Sequence, residues 1–239
     1  MSLLTPMLRT SPLTDWFSDV QRVQGMLDFE AALVRAEVEC GLVPQTALNP
    51  IIESCRHEKI DFSALGQAAA SAGNLAIPLV KQLTARVKER NEAAARYVHW
   101  GATSQDAIDT GFILQLRGAL AETESLLQRL LDALARQAER HQDTVMPGRT
   151  WMQHALPVTF GLKLAGTLDA LLRWQVRLRE MRARVLALQF GGAAGTLDSL
   201  KTQAPPIAAA LAKALDLLLP DAPWHSQRDR MLEVGAWYA

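Results

Sequence analysis

Two short stretches of the sequence concentrate side chains that can bind carboxylate groups. The first covers residues 99–106 and the second covers residues 148–157. Both combine glycine with hydroxyl and amide donors, among them Thr103, Thr150 and Gln153. Because each stretch lies at the start of a long helical pattern, the free backbone N–H groups of that helix start add further donors. The composition of these stretches therefore favours sites for carboxylate anions.

Each stretch also has an ordinary structural interpretation. Ser104 is expected as an N-cap residue, and Asp106 as a carboxylate that stabilises the positive end of the helix dipole. The second stretch can be a loop that satisfies its own backbone, and His99 can be a buried or surface histidine. A third stretch, residues 191–196, is glycine-rich and has one hydroxyl. Its last glycine is not directly followed by a Lys-Ser or Lys-Thr pair, so it is not a nucleotide phosphate loop.

Composition narrows the class of protein. The 239 residues include 25 basic and 25 acidic side chains, so the formal net charge is zero and gives no reason to expect nucleic acid or an anionic membrane as a partner. At 49% hydrophobic residues the chain is globular, with one or two domains. Two cysteines are too few for a disulfide scaffold and fit a reducing cytoplasm. No signal peptide and no apolar run of about 20 residues is visible.

Hydrophobic periodicity predicts helices nearly throughout, because Ala, Leu, Arg, Glu and Gln dominate and the alternation typical of strands is missing. Two long patterns, over about 107–141 and 157–189, are joined by a short loop and predict an antiparallel pair of long helices. Shorter helices are predicted over about 14–40, 44–56, 62–72, 77–91 and 207–219. We therefore expect an all-α fold.

The same patterns suggest how the chain is organised. We predict a small N-terminal helical domain over residues 1–106 and part of a bundle of long helices over residues 107–239. Helices this long and this apolar need neighbours, from the rest of the subunit or from other subunits. Residues 229–239 look like the start of another helix with no stop signal, so we expect that the chain is truncated.

Three motifs in order resemble the fumarase/aspartase superfamily. The motif that begins at His99 reads His-x-Gly-x-Thr-Ser-x-Asp. The motif that begins at Gly148 reads Gly-Arg-Thr-x-x-Gln-x-Ala-x-Pro-x-Thr-x-Gly-x-Lys, and Gly-Gly-Ala-x-Gly-Thr begins at Gly191. The resemblance extends along nearly the whole chain. It implies a central bundle of long helices and a homotetramer whose active sites combine loops from three subunits.

Within the superfamily the sequence most resembles the family of bacterial 3-carboxy-cis,cis-muconate cycloisomerases. The telling position is Trp151, where fumarase-like and adenylosuccinate-lyase-like members usually carry a histidine. The resemblance implies an enzyme that closes 3-carboxy-cis,cis-muconate to a carboxymuconolactone in protocatechuate catabolism, in the β-ketoadipate pathway. It implies a small polycarboxylate as substrate, and neither a metal nor an organic cofactor.

The resemblance also assigns roles to individual side chains. His99 would be a binding or acid–base group. Negative charge that builds beside a carboxylate during ring closure needs fixed hydrogen-bond donors. The residues expected to bind the substrate are Thr103, Ser104, Arg149, Thr150, Trp151, Gln153, Lys163 and Thr196.

One departure from the superfamily pattern matters for activity. The mobile Ser-Ser-x-Met-Pro-x-Lys-x-Asn-Pro loop, which supplies the usual catalytic serine, does not occur in this sequence. We therefore expect little or no activity from the 239-residue chain by itself. Two alternatives stay open: another lyase of the superfamily, of the adenylosuccinate or argininosuccinate type, or a non-catalytic helical assembly module.

Overall fold

The computed structural model describes residues 11–239, which form mainly α-helices, with one two-stranded antiparallel sheet, two short 3₁₀ helices and connecting loops. The elements are α1 (Leu13–Trp16), α2 (Asp19–Glu39), α3 (Gln45–Ile52), α4 (Phe62–Ala72), α5 (Ala76–Arg90), α6 (Glu92–Ala95), α7 (Ser104–Arg140), β1 (Val145–Thr150), β2 (Gln153–Thr159), α8 (Phe160–Val185), α9 (Ala204–Leu215) and α10 (Asp229–Tyr238), with 3₁₀ helices at His57–Lys59 and Asp198–Gln203. The predominantly helical fold is confirmed. None of the helices in the described part of the chain is both long and apolar enough to cross a membrane.

The described residues form two compact units. The first unit consists of the residues up to Gly118 together with Arg184–Ala239, and the second consists of Ala119–Ala183. The long helix α7, with 37 residues, begins in the first unit and ends in the second. The predicted division into an N-terminal domain (residues 1–106) and a bundle domain (residues 107–239) stays a prediction.

Local capping explains most helix boundaries in the first unit. The side chain of Asp61 accepts a hydrogen bond from the backbone N–H of Ala64 at 2.9 Å, so α4 begins where the sequence predicts. The predicted helix over 14–40 is divided at Phe17, because the side chain of Ser18 accepts from the N–H of Gln21 and starts a new helix. Leucine, isoleucine and phenylalanine side chains of α2, α3, α5 and α9 fill the core of this unit.

Helices α2 and α7 approach each other at backbone contact. A Cβ atom on Gly25 would lie 2.6 Å from the carbonyl oxygen of Gly111, and a Cβ atom on Gly111 would lie 2.8 Å from the backbone nitrogen of Met26. Both glycines are therefore required by close packing. The contact holds the start of α7 against α2, and the first predicted site motif lies at that start.

The second unit contains the antiparallel helix pair that periodicity predicts. Gln175 of α8 donates to Gln128 of α7 at 2.7 Å, and Arg179 Nε donates to Glu124 Oε1 at 2.9 Å. Residue numbers fall on α7 as they rise on α8, which confirms the antiparallel arrangement. Leu127, Leu131, Leu178 and Met181 are buried in this unit.

The connection between these helices differs from the prediction. A β-hairpin takes the place of the short loop, and α8 begins at Phe160 rather than near residue 157. Thr150 pairs with Gln153 across a two-residue turn, in which Trp151 and Met152 have φ angles of 51° and 59°. Such turns usually contain Asn-Gly or Asp-Gly. Neither pair occurs at this turn, so the sequence did not predict the hairpin.

Candidate functional site

Asp106 connects the first and third sequence motifs. Its side chain is fully buried at the start of α7. Oδ2 accepts hydrogen bonds from the backbone N–H groups of Thr103 (3.0 Å) and Gly192 (2.9 Å). Oδ1 accepts from the backbone N–H of Gly191 (2.9 Å) and from Gln189 Nε2 (3.0 Å). One carboxylate therefore fixes two loops that are more than 80 residues apart in the sequence.

Opposing effects act on the charge of Asp106. Burial is the larger effect and raises the pKa of this carboxyl above its ordinary value, while the hydrogen bonds from Gln189, Thr103, Gly192 and Gly191 lower it. The prediction that Asp106 favours the helix dipole is compatible with its place in the first turn. Its four hydrogen bonds give it a larger role, because they determine where the donor-bearing loops lie.

The loop over residues 191–196 closes on itself and on the first motif. The N–H of Leu197 donates to the carbonyl oxygen of Gly191 at 3.0 Å. A Cβ atom on Gly192 would lie 3.3 Å from the carbonyl oxygen of Gly101, and a Cβ atom on Gly101, where φ is 70°, would lie 2.5 Å from Leu200 Cδ2. The two loops therefore contact each other, and glycine at position 101 is required by both conformation and space.

Three hydroxyls on these two loops are available to a ligand. The side chains of Thr103 and Ser104 are partly exposed and that of Thr196 is exposed. The backbone of Thr103 is bound to Asp106, Ser104 begins α7, and Leu197, next to Thr196, donates to Gly191. None of the three hydroxyls is hydrogen-bonded to another described residue. Hydroxyl donors that are held by the backbone but have no partner of their own suit a carboxylate.

His99 faces a buried carboxylate. Its Nδ1 lies 2.5 Å from Glu30 Oε1 on α2, and the Glu30 side chain is only 3% exposed. Burial disfavours the charged imidazole, but the charge and hydrogen bond of Glu30, with the charge of Asp106, outweigh it and raise the pKa of His99 above its ordinary value. Glu30 therefore orients the ring and helps it to hold a proton.

A cavity of about 440 Å³ lies beside the third motif and includes Thr196 in its wall. The other walls are mostly apolar and include Leu188, Phe190 and Pro223. Asp221 is the one charged residue among those that line it. An acidic wall does not favour a polyanion. The groups of this unit that could donate hydrogen bonds to a bound carboxylate are therefore the hydroxyls of the loops rather than the walls of this cavity.

The second motif lies on the β-hairpin and the start of α8, within the second unit. Arg149 and Lys163, both exposed, line one cavity of about 390 Å³ together with Met146, Gly148 and Val158. The two cations therefore face a common space. Thr150 and Gln153 pair with each other through the backbone at the end of the hairpin, where both side chains are exposed.

The tip of the hairpin presents apolar side chains to solvent. Trp151 and Met152 are each 96% exposed, and Leu156 is 82% exposed. Left-handed backbone at a tryptophan and a methionine is strained. The side chain of Trp151 therefore makes little contact with other described residues. Its role in binding a ligand stays a prediction.

Two residues of this site were missed by sequence reasoning. Glu30 and Gln189 were not singled out, because each meets its partners only through the fold. Their one sequence signal is that polar side chains interrupt otherwise apolar helix or loop patterns. Among residues 11–239, no three His, Cys, Asp or Glu side chains are grouped so that they could hold a metal ion.

Comparison with known sequences decides the family. Residues 8–239 match the sequence profile of the lyase family. The chain belongs to this lyase family. Its predicted membership of the fumarase/aspartase superfamily, on the cycloisomerase branch, is thereby confirmed in the part of the fold that it covers.

Individual relatives of this lyase chain carry more specific names. It is 60% identical over 226 residues to a 3-carboxy-cis,cis-muconate cycloisomerase of Pseudomonas aeruginosa, covering 95% of this chain and 49% of the relative. The 3-carboxy-cis,cis-muconate lactonizing enzyme structure from Pseudomonas putida superimposes with a TM-score of 0.96 at 53% identity, covering 98% of this chain and 53% of that one. A fumarate lyase structure from Mesorhizobium sp. gives 0.90 at 39% identity, covering 94% and 52%. The chain thus spans about half the length of the relatives it matches.

Proposed function

We propose that this chain supplies the carboxylate-binding donors of an enzyme that closes 3-carboxy-cis,cis-muconate to a carboxymuconolactone. The observation that carries the proposal is the arrangement around Asp106, which joins the loops of Thr103, Ser104 and Thr196 while leaving their hydroxyls without hydrogen-bond partners among residues 11–239. The similarity to cycloisomerases selects the substrate within the class of polycarboxylates.

The chemistry requires such donors. During ring closure a carboxylate oxygen of the substrate forms a bond to a carbon of the neighbouring double bond. The electron pair of that double bond moves to the carbon beside another carboxylate, and this carbon then takes a proton. The intermediate charge spreads onto the oxygens of the adjacent carboxylate, where hydroxyl, amide and cationic groups stabilise it. Thr103, Ser104 and Thr196 would bind at one end of the substrate.

The remaining assigned residues complete the proposal. Arg149, Thr150, Trp151, Gln153 and Lys163 would bind the substrate from the hairpin and α8. His99 would hold or transfer a proton, because Glu30 binds Nδ1 while Nε2 has no hydrogen-bond partner among the described residues. No metal or organic cofactor takes part in the proposed reaction.

We also propose that the protein acts as a homotetramer in the cytoplasm. Leu162, Leu172 and Val176 of α8 are 64%, 45% and 53% exposed. Apolar side chains repeated along one helix favour a contact with other copies. Cys40 and Cys55 are both unpaired thiols, which fits a reducing compartment. Analytical ultracentrifugation and cell fractionation test these two statements.

A chimera tests the catalytic proposal. This chain would replace the matching part of the Pseudomonas aeruginosa relative, and NMR would follow conversion of 3-carboxy-cis,cis-muconate. We expect the lactone as product, and loss of most turnover when Thr103→Val removes one hydroxyl at nearly constant shape. A chimera that folds as a stable oligomer but yields no lactone would contradict the proposal. Fumarate release from argininosuccinate or adenylosuccinate would favour the alternative lyases.

The non-catalytic alternative is tested on the 239-residue chain alone. An assembly module should ignore polycarboxylates, whereas a binding site gains thermal stability from its ligand. We expect 3-carboxy-cis,cis-muconate to raise the melting temperature of the chain, and Thr103→Val to reduce that rise.

A further inference from the structure

His225 lies against the third motif. Its Cε1 atom is 3.5 Å from the position that a Cβ atom would take on Gly195, the neighbour of Thr196. Because Gly195 has a φ of 81° and no side chain, the imidazole edge approaches the loop backbone directly. His225 therefore faces the loop that the proposed function assigns to the substrate.

Trp224, the residue before His225, is held by the same group of residues that holds the loops. The N–H of Trp224 donates to Gln189 Oε1 at 2.7 Å, and Gln189 Nε2 in turn donates to Asp106. The indole Nε1 of Trp224 donates to the carbonyl oxygen of Leu188 at 3.0 Å, and the ring is only 4% exposed. The imidazole is thus attached to a buried anchor rather than to a free loop.

The hydrogen-bonding state of the imidazole selects its tautomer. Nδ1 is buried and has no hydrogen-bond partner in the part of the chain that the structure describes. A proton on Nδ1 would leave a buried N–H without an acceptor, which is more costly than a bare nitrogen lone pair. We therefore place the ring proton on Nε2 rather than on Nδ1. Nε2 is also without a partner among the described residues, so its N–H is available to an acceptor from outside the chain.

Arg228, a cation on the same segment, does not compete for this role. Arg228 forms a two-point ion pair with Asp109, with Nη1 and Nη2 at 2.8 and 3.0 Å from the carboxylate oxygens. Its guanidinium group also lies 5.6 Å from the ring centre of Trp224. Both Nη atoms of Arg228 are therefore committed to Asp109.

We propose that His225 is a further substrate-binding residue, which donates Nε2–H to a carboxylate of the polyacid held beside Thr196. This inference rests on the proposed function and names an additional donor of the same site.

Asparagine and glutamine variants provide a matched test. A glutamine amide reaches roughly the position of Nε2, whereas an asparagine amide reaches roughly that of Nδ1. We expect His225→Gln to bind 3-carboxy-cis,cis-muconate about as well as the unmodified chain. His225→Asn and His225→Phe should bind it about tenfold or more weakly, the value of one hydrogen bond to a charged group. Calorimetric titration of the 239-residue chain measures all four, and circular dichroism checks that each variant folds.

The outcomes separate the two proposals. Tight binding that is the same in all four chains would overturn the role of His225 and leave the proposed function intact. Absence of binding in the unmodified chain would overturn both. Nitrogen-15 NMR of the imidazole gives an independent check, since a proton found on Nδ1 in the free chain would refute the tautomer and with it the assignment. Weakened binding in His225→Gln equal to that in His225→Asn would indicate a packing role and also contradict the proposal.

Discussion

Replacing Asp106 with asparagine would disrupt the group of hydrogen bonds on which the candidate site depends. The carboxylate accepts four hydrogen bonds at 2.9–3.0 Å, two on each oxygen. An asparagine side chain keeps one oxygen. Whichever way the amide is oriented, two of the four N–H donors then face an NH₂ group instead of an acceptor, and the NH₂ group has no acceptor in return.

The size of the effect follows from these contacts. A buried donor left without an acceptor costs about 1–3 kcal/mol, so two such donors cost about 4 kcal/mol. Burial disfavours the charged carboxylate, as the raised pKa of Asp106 indicates. Because asparagine is neutral, the substitution removes this unfavourable effect and offsets part of the cost of the two unpaired donors. We therefore expect the free energy of unfolding to fall by about 3 kcal/mol, measured by urea denaturation at pH 7.

Two further measurements sharpen the test. Amide hydrogen exchange at Gly191 and Gly192 should become faster, because their N–H groups lose or share an acceptor. Asp143→Asn, at an exposed position between α7 and β1, is the control and should change stability by less than about 0.5 kcal/mol. If Asp106→Asn were as stable as the unmodified chain and its glycine amides equally protected, the proposed role of Asp106 would be wrong.

Three other predictions concern groups in the first unit. Glu37 is fully buried, and neither of its side-chain oxygens has a hydrogen-bond partner among the described residues. Burial, followed by the charge of Glu30, raises its pKa from 4.5 to about 9. Its unfolded form therefore loses a proton that the folded form keeps, so stability falls as pH rises from 4.5 to 9. Glu37→Gln should remove this slope and stabilise the chain by about 3 kcal/mol at pH 7 in urea titrations, whereas the exposed Glu39→Gln should not; equal slopes would contradict this. Gly25→Ala should destabilise by about 1–3 kcal/mol, because the new methyl group meets the backbone of α7, while Gly66→Ala, which meets nothing within 4 Å, should stabilise slightly. Glu30→Gln should cost on the order of 2 kcal/mol below the ordinary pKa of histidine; since Glu30 raises the pKa of His99, this cost should decrease as pH rises through that raised pKa, and a cost independent of pH would refute the charged pair.

The helices were predictable because their signals are local. The Asp61 cap and the glycine at position 73, which has a φ of 75°, both lie within the segment that they delimit, and α4 matches its prediction. The β-hairpin was not predictable in this way. Its turn places two bulky residues, Trp151 and Met152, at positive φ angles, and propensity assigns neither of them to such a turn.

The site divides along the same line. Thr103, Ser104 and Thr196 could be singled out, since hydroxyls beside glycines at a helix start are visible in the sequence. Their spatial relation could not be derived, because it depends on a pair, Asp106 and Gln189, that are 83 residues apart. The partner of His99, Glu30, is 69 residues away on a helix where it occupies an ordinary position. Partners at such separations are determined by packing rather than by local pattern.

Asp106 has a role in the motif beyond stabilising the start of the helix. Donors stabilise developing charge only if they are oriented before the reaction begins, and a loop with three glycines loses much conformational entropy when it is ordered. The hydrogen bonds of one buried carboxylate offset that loss at the N–H groups of Gly191 and Gly192 while they also fix Thr103. Asp106 is therefore expected to affect ligand binding although it is not itself one of the proposed ligand-binding residues. The Asp106→Asn variant should weaken polycarboxylate binding even under conditions where it remains fully folded.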